Sequence, residues 1–83
     1  MPLRESEAKV LLALLRNDPT PIMSLPKIAK LGSSAVYNSV RWLSDRGLVK
    51  DTREKDAPRR RMINLTEKGK QVAELILRVE EEL

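Results

Sequence analysis

Ser33-Ser34-Ala35-Val36-Tyr37-Asn38-Ser39-Val40-Arg41-Trp42-Leu43-Ser44-Asp45-Arg46-Gly47-Leu48-Val49 decides how this chain folds. Val36, Val40 and Leu43 recur at the four- and three-residue spacing of one buried helical face, with Ser39 beside them. Ser34, Tyr37, Asn38, Arg41 and Asp45 therefore point away from the core, and Trp42 sits at its edge in a structural role. Ser33 suits an N-cap and Gly47 a left-handed stop, so the pattern predicts a helix through Asp45 or Arg46. Just upstream, Ser24 caps a brief helix, Leu25 to Leu31, with Pro26 in its first turn and Gly32 ending it. A short helix turning tightly into one that projects polar and basic side chains outward is the layout of a helix-turn-helix.

The apolar run Val10 to Leu15 lies further upstream, with Ser6 as N-cap and Asn17-Asp18-Pro19 as a stop, and predicts a helix from Leu3 or Glu7 to Arg16. It is apolar nearly all round, so it needs cover on more than one side, and a second body is expected. Pro19-Thr20-Pro21 forces an extended connection, followed by a very short strand at Ile22-Met23. Downstream of Gly47, Leu48 to Arg53 and Arg61 to Leu65 read as strands flanking the polar loop Glu54 to Arg60. Thr66 caps a final helix carrying Leu65, Gly69, Val72, Ile76, Val79 and Leu83 at alternating spacings of four and three. The sum is an α+β, mostly helical winged helix-turn-helix: a three-helix core and a two-stranded wing over residues 1–65, and an amphipathic dimerisation helix over 66–83.

With 83 residues the chain is one small domain. It has neither Cys nor His, which excludes disulfides, zinc fingers and Ser-His or Cys-His catalytic pairs, so neither an enzyme nor a cofactor or metal site is expected. One Tyr and one Trp supply all the aromatic content, leaving a core of Leu, Val, Ile and Ala. No stretch is apolar enough for a membrane span and no signal peptide is evident, so a cytoplasmic protein with no membrane partner is expected. A charged fraction of 34% with a single Gln fits a heat-adapted source such as a thermophilic archaeon.

The formal net charge of +4 is concentrated: Ser24 to Met62 holds ten Lys and Arg against four Asp and Glu, while the two ends are mildly acidic. A basic middle that coincides with the helix-turn-helix and wing is the footprint of a nucleic-acid face. A basic solvated face is the plainer alternative.

Three segments resemble the winged helix-turn-helix transcription regulators, particularly the MarR-like and PadR-like branches. They are Ser6 to Leu14, then Ala35-Val36-Tyr37 through Arg46-Gly47-Leu48-Val49, and Ile63-Asn64-Leu65-Thr66-Glu67-Lys68-Gly69 after an Arg-rich loop. The resemblance implies a homodimer that binds double-stranded DNA sequence-specifically at an inverted-repeat operator and represses transcription. Two departures stand out. The segment from Ala29 to Val36 is about one turn shorter than the usual spacing if Ala29 is the customary small residue of the second helix, or else Pro26 takes that place and Lys30 the turn position; and Asp56 lies three residues before Arg59 where the MarR-like pattern has two. The match also lacks the flanking helices with which MarR-like proteins form an effector pocket, so no small-molecule effector is expected. A protein-interaction adaptor and an architectural DNA-binding protein are the competing readings.

Candidate residues follow from this layout. On the recognition helix they are Ser33, Ser34, Ala35, Tyr37, Asn38 and Arg41: Arg41 can pair bidentately with guanine, Asn38 with adenine, and Ala35 can touch a thymine methyl. Tyr37 suits either a phosphate or packing against the wing. Ser24, Lys27 and Lys30 are candidates for the DNA backbone, and Arg53, Lys55, Arg59, Arg60 and Arg61 for the wing, with Arg61 alternatively paired to Asp51 across the hairpin. Ala73 and Leu77 lie off the apolar stripe of the last helix and leave a second apolar face. Leu11, Leu14, Val72, Leu75, Ile76, Leu77, Val79 and Leu83 are the candidate dimer interface, and the acidic Glu80-Glu81-Glu82 end is expected to meet Arg4, Lys9 or Arg16 of the second chain.

Overall fold

The computed structural model describes residues 3–83. Helix α1 spans Glu5–Arg16, and its N-cap is Arg4 rather than Ser6. The cause is Glu7, whose carboxylate reaches back to accept the Arg4 amide at 2.8 Å and so adds residues to the first turn. The chain then extends through β1, Thr20–Pro21, and turns through a 3₁₀ segment, Ile22–Ser24. The expected strand at Ile22-Met23 thus falls two residues early. Thr20 and Pro21 pair with Ile63 and Met62, Pro being tolerated on an edge strand, while Ile22 drops into the core from the turn.

Helix α2, Leu25–Ala29, is shorter than expected: Lys30 takes a left-handed conformation at φ 58° and stops it, with the Leu31 amide bonded to the Pro26 carbonyl at 2.9 Å. Ser24 holds the N-cap position, but its hydroxyl makes no capping bond. Gly32 is consequently the N-cap of α3, Ser33–Asp45, and Ser33 is its first helical residue rather than its cap. Gly47, at φ 72°, ends α3 as expected: its amide bonds to the Ser44 carbonyl at 3.0 Å and that of Leu48 to Leu43 at 2.9 Å.

Strands β2, Val49–Arg53, and β3, Arg61–Leu65, form the hairpin, giving a three-stranded antiparallel sheet in the order β1-β3-β2. Helix α4, Glu67–Glu82, starts where expected, the Thr66 hydroxyl accepting the Gly69 amide at 3.0 Å.

Helix α1 is the hub. Val10, Leu11 and Leu14 are fully buried with Leu25, Val36, Leu43 and Ile63, and α2, α3, α4 and β3 all pack around it. Most of its apolar surface is therefore covered within one chain, Leu12 remaining half-buried at a surface groove. Leu11 and Leu14, expected at a dimer interface, have no exposed surface to offer a second chain. On α4, Gly69 and Ala73 are buried, letting the helix approach α1 and the Leu48 backbone closely, and Val72 and Ile76, expected at a dimer interface, are partly buried against the chain's own core. Ala73 is thus not part of a free apolar face. That face is formed by Leu75, Val79 and Leu83, with Leu77 half-buried. Among the described residues no helix is long and apolar enough to cross a membrane.

Candidate nucleic-acid interface

The outer face of α3 is laid out as the periodicity predicts. Ser33, Ser34, Asn38 and Arg41 are exposed, and Val36, Ser39, Val40 and Leu43 are buried beneath them. Ala35 is half-buried on the flank it shares with Trp42, so it is less available than expected for a thymine methyl. Trp42 packs against the core and carries the Arg46 guanidinium 3.7 Å above its ring, a cation–π stack that anchors the end of α3. Lys27 and Lys30 are exposed on and just after α2, and Ser24 is half-buried at its start.

The structure sorts the wing arginines. Arg61 donates from Nε to Asp51 Oδ2 at 2.7 Å, and its Cζ lies 5.7 Å from the Tyr37 ring centroid. Both alternatives left open by the sequence therefore resolve into one cluster, in which Asp51 holds Arg61 between β2 and the recognition helix. The hydrogen bond to Asp51, opposed only by partial burial, raises the Arg61 pKa above its ordinary value, so it is charged at any working pH. Arg60 is tied by Nε and Nη2 to Glu54, at 2.9 and 3.1 Å, and the same bonds hold the Glu54 carboxyl below its usual range. Arg53 donates to the Arg59 carbonyl at 3.2 Å. Arg59, in the left-handed region at φ 57°, and Lys55 are exposed at the loop and form no ion pair among the described residues.

Sequence reasoning offered the Arg61–Asp51 pair but not the Arg60–Glu54 one, which ties to a carboxylate an arginine expected, with Arg59, at the minor groove or a flanking phosphate. Arg53 and Arg61 are direct cross-strand partners, and Asp51 stands opposite Ile63 on the same face. Met23 was missed as well: it is 82% exposed beside the wing, although a Met directly after a strand-forming Pro-Ile reads as core.

Glu80 lines a surface groove with Lys9, Arg16 and Lys30 of its own chain but forms no ion pair among the described residues, Lys9 pairing with Glu5 instead.

No curated protein matches the chain significantly. Among solved structures it is similar to the MarR family transcriptional regulator SPO1453 from Silicibacter pomeroyi DSS-3, with 30% identity and a TM-score of 0.80, covering 96% of this chain and 56% of that one. BpsR of Bordetella bronchiseptica, whose DNA binding is regulated by 6-hydroxynicotinic acid, shares the fold at a TM-score of 0.86 and 20% identity, covering 96% of this chain and 61% of BpsR. A transcriptional regulator homologue from Pyrococcus horikoshii OT3 does so at 0.77 and 21%, over 92% of this chain and 76% of that one. The chain thus spans little more than half the length of the first two. The matching family model and the similar structures are of transcriptional regulators rather than enzymes. Residues 1–70 match the family model described as "Sugar-specific transcriptional regulator TrmB", and the chain belongs to the TrmB family of transcriptional regulators.

Proposed function

We propose that this chain binds double-stranded DNA sequence-specifically as a homodimer, reading an inverted-repeat operator with α3 and repressing transcription there. One observation carries the reading. Ser34, Asn38 and Arg41 stand exposed on a helix fixed from behind by a packed core, with no side-chain hydrogen bond to other described residues. Such donors and acceptors are preorganised for base edges in a major groove. Ser33, Lys27, Lys30 and the Ser24 hydroxyl are assigned to flanking phosphates. Arg59 and Lys55, which have no acidic partner, are assigned to the wing's contact with the adjacent minor groove.

Leu75, Val79 and Leu83, exposed at 57%, 59% and 100%, line a groove with Leu3, Val72 and Ile76 and support dimerisation through α4. A two-fold dimer would set its recognition helices about 34 to 36 Å apart, or a multiple of that, on one face of the duplex. The family's description concerns sugar-specific regulation and BpsR responds to a small aromatic acid, so the relatives lend no support to the expected absence of an effector.

Selection of bound sequences from random duplexes tests the proposal. It should enrich an inverted repeat, and Arg41→Ala should then weaken binding to it by about 1 to 3 kcal/mol per half-site while changing binding to random DNA far less. Tight binding without an enriched motif would favour an architectural protein; no duplex binding at low salt would favour an adaptor. Equal loss on both DNAs would move Arg41 from the bases to the backbone.

A further inference from the structure

The pleat of the hairpin places Asp51, Arg53 and Arg61 on the face that also carries buried Val49, Ile63 and Leu65, the face toward α3. Arg53 and Arg61 sit directly opposite one another, an arrangement of like charges that disfavours the free hairpin. Asp51 neutralises only one of them. Arg53 has just the Arg59 carbonyl, and is left without an anion among the described residues. Between this face, the Pro21-Ile22-Met23 segment and Tyr37 of α3 lies a groove of about 360 Å³, to which the wing contributes Arg53, Pro58, Arg60 and Arg61. Met23 is 82% exposed there and Tyr37 41%. Toward Ser44 a neighbouring groove carries Asp45 and Asp51 beside Arg41 and Arg61, a balanced set of charges, whereas the Met23 end carries cations alone.

Cations alternating with apolar surface match a sugar-phosphate chain, which offers anionic oxygens joined by the apolar faces of deoxyribose. Geometry selects the same occupant. A helix in a major groove and a hairpin in the neighbouring minor groove necessarily straddle the single strand that separates the two.

We propose that the channel between α3 and the wing seats that one strand. Arg53 and Arg61 grip its phosphates, Met23 and the Tyr37 ring pack on its deoxyribose, and Asp51 is a positioning residue that turns the Arg61 guanidinium toward it. The inference rests on the proposed placement of α3 in the major groove. Both Asp51 contacts use one carboxylate oxygen, Oδ2, and are made by Nε and Nη2 of Arg61, which leaves the Nη1 donors for a phosphate. Arg61 keeps 40% of its side chain exposed, enough to be reached.

The test uses the full chain and the duplex enriched by selection, with folding of each variant checked by thermal unfolding. Arg61→Ala should weaken binding to enriched and random duplexes alike and make the log-affinity against log-salt slope shallower by about 0.9. Met23→Ala should weaken both several-fold with the slope unchanged, because an apolar contact releases no counterion. Single phosphates replaced by uncharged methylphosphonate should reveal one position per half-site, on the strand between the two contacted grooves, that costs the wild type affinity and leaves Arg61→Ala indifferent. Asp51→Asn provides the sharpest readout. Simple charge removal would tighten binding, whereas a positioning role predicts weaker binding and a smaller further effect of Arg61→Ala. An enriched operator whose binding ignores Met23→Ala and Arg61→Ala overturns the channel and leaves the proposed function standing. Tighter binding by Asp51→Asn with the Arg61 effect intact overturns the role of Asp51. Failure to bind any duplex removes the parent reading instead.

Discussion

Helix α1 and the distal half of α4 are both rich in Leu and Val, and the sequence marks both for contact with a second chain. The structure separates them. Leu11 and Leu14 of α1 lie wholly inside the chain's own core, whereas Leu75, Val79 and Leu83 of α4 stand in the open. An apolar stripe states that a surface wants cover but not who supplies it. The supplier is decided by position: α1 runs through the middle of the fold with four elements packed on it, while α4 packs on the core along one side only, through Gly69, Val72, Ala73 and Ile76, and turns Leu75, Val79 and Leu83 outward.

Truncation within α1 is the strongest way to break this contrast. Leu14→Ala should destabilise the fold by about 2 to 5 kcal/mol, since no rearrangement of four neighbouring elements can refill the void. In denaturant unfolding the loss should not depend on protein concentration. A concentration-dependent loss would return Leu14 to an intermolecular role.

The close approach of α4 to the rest of the fold is set at Gly69. A Cβ built there falls on the Leu48 carbonyl oxygen, a backbone atom that follows the Gly47 turn and cannot step aside alone. That same carbonyl accepts the Thr66 amide at 3.1 Å, and the Thr66 hydroxyl donates to the Gly47 carbonyl at 2.7 Å, so α4 is bolted to the exit of the recognition helix. Gly69→Ala should therefore cost about 1 to 3 kcal/mol through overpacking, against its ordinary gain in helix propensity. Chemical denaturation measures it, and a stabilised variant would show the contact to be loose.

These elements also show what the sequence could carry. Periodicity found α3, both hairpin strands and the start of α4, because each is fixed by local chemistry: the Val36-Val40-Leu43 face, the Gly47 stop and the Thr66 cap. It misplaced α2 and β1 because tertiary context overrode the local signals. Lys30 accepts a left-handed conformation that a reading of punctuation assigns to Gly32, and Thr20 is drawn into the sheet by pairing with Ile63, more than forty residues away. At the candidate interface, the outward face of α3 was legible from spacing alone. Among the wing arginines the Arg61–Asp51 pair was legible as an alternative, whereas the Arg60–Glu54 pair was not, since it depends on which carboxylate the loop brings within reach.

A polar residue on the uncovered face should leave the monomer nearly untouched and change its association. Leu75→Lys or Val79→Lys should alter unfolding free energy by less than about 0.5 kcal/mol once extrapolated to monomer, as surface substitutions do. Sedimentation should report about twice the chain mass for the wild type and a shift toward the single-chain mass for either variant, with weaker operator binding. A wild type that is monomeric at every concentration would leave α4 an ordinary exposed helix and require another explanation for its apolar end.

The smallest effect belongs to the ion pair at the wing loop. Glu54 accepts the Arg60 amide and side chain, and these hydrogen bonds, rather than burial, hold its carboxyl below the usual glutamate range. A lowered acid pKa means that the contribution is fully present above the ordinary glutamate value and is lost as the pH falls through the depressed one. The raised Arg60 pKa acts only at the far alkaline end and leaves the neutral range flat. Because the pair is open to solvent, the consequence is local order of the wing loop rather than global stability. The Arg60 amide in an NMR pH titration should report it: its resonance should move in acid with the depressed Glu54 pKa and stay still in Glu54→Gln, while the two proteins melt together throughout. If the wild type instead loses melting temperature in acid faster than Glu54→Gln, the wing tip is coupled to the core, and the division between covered and uncovered surface is less sharp than α1 and α4 make it.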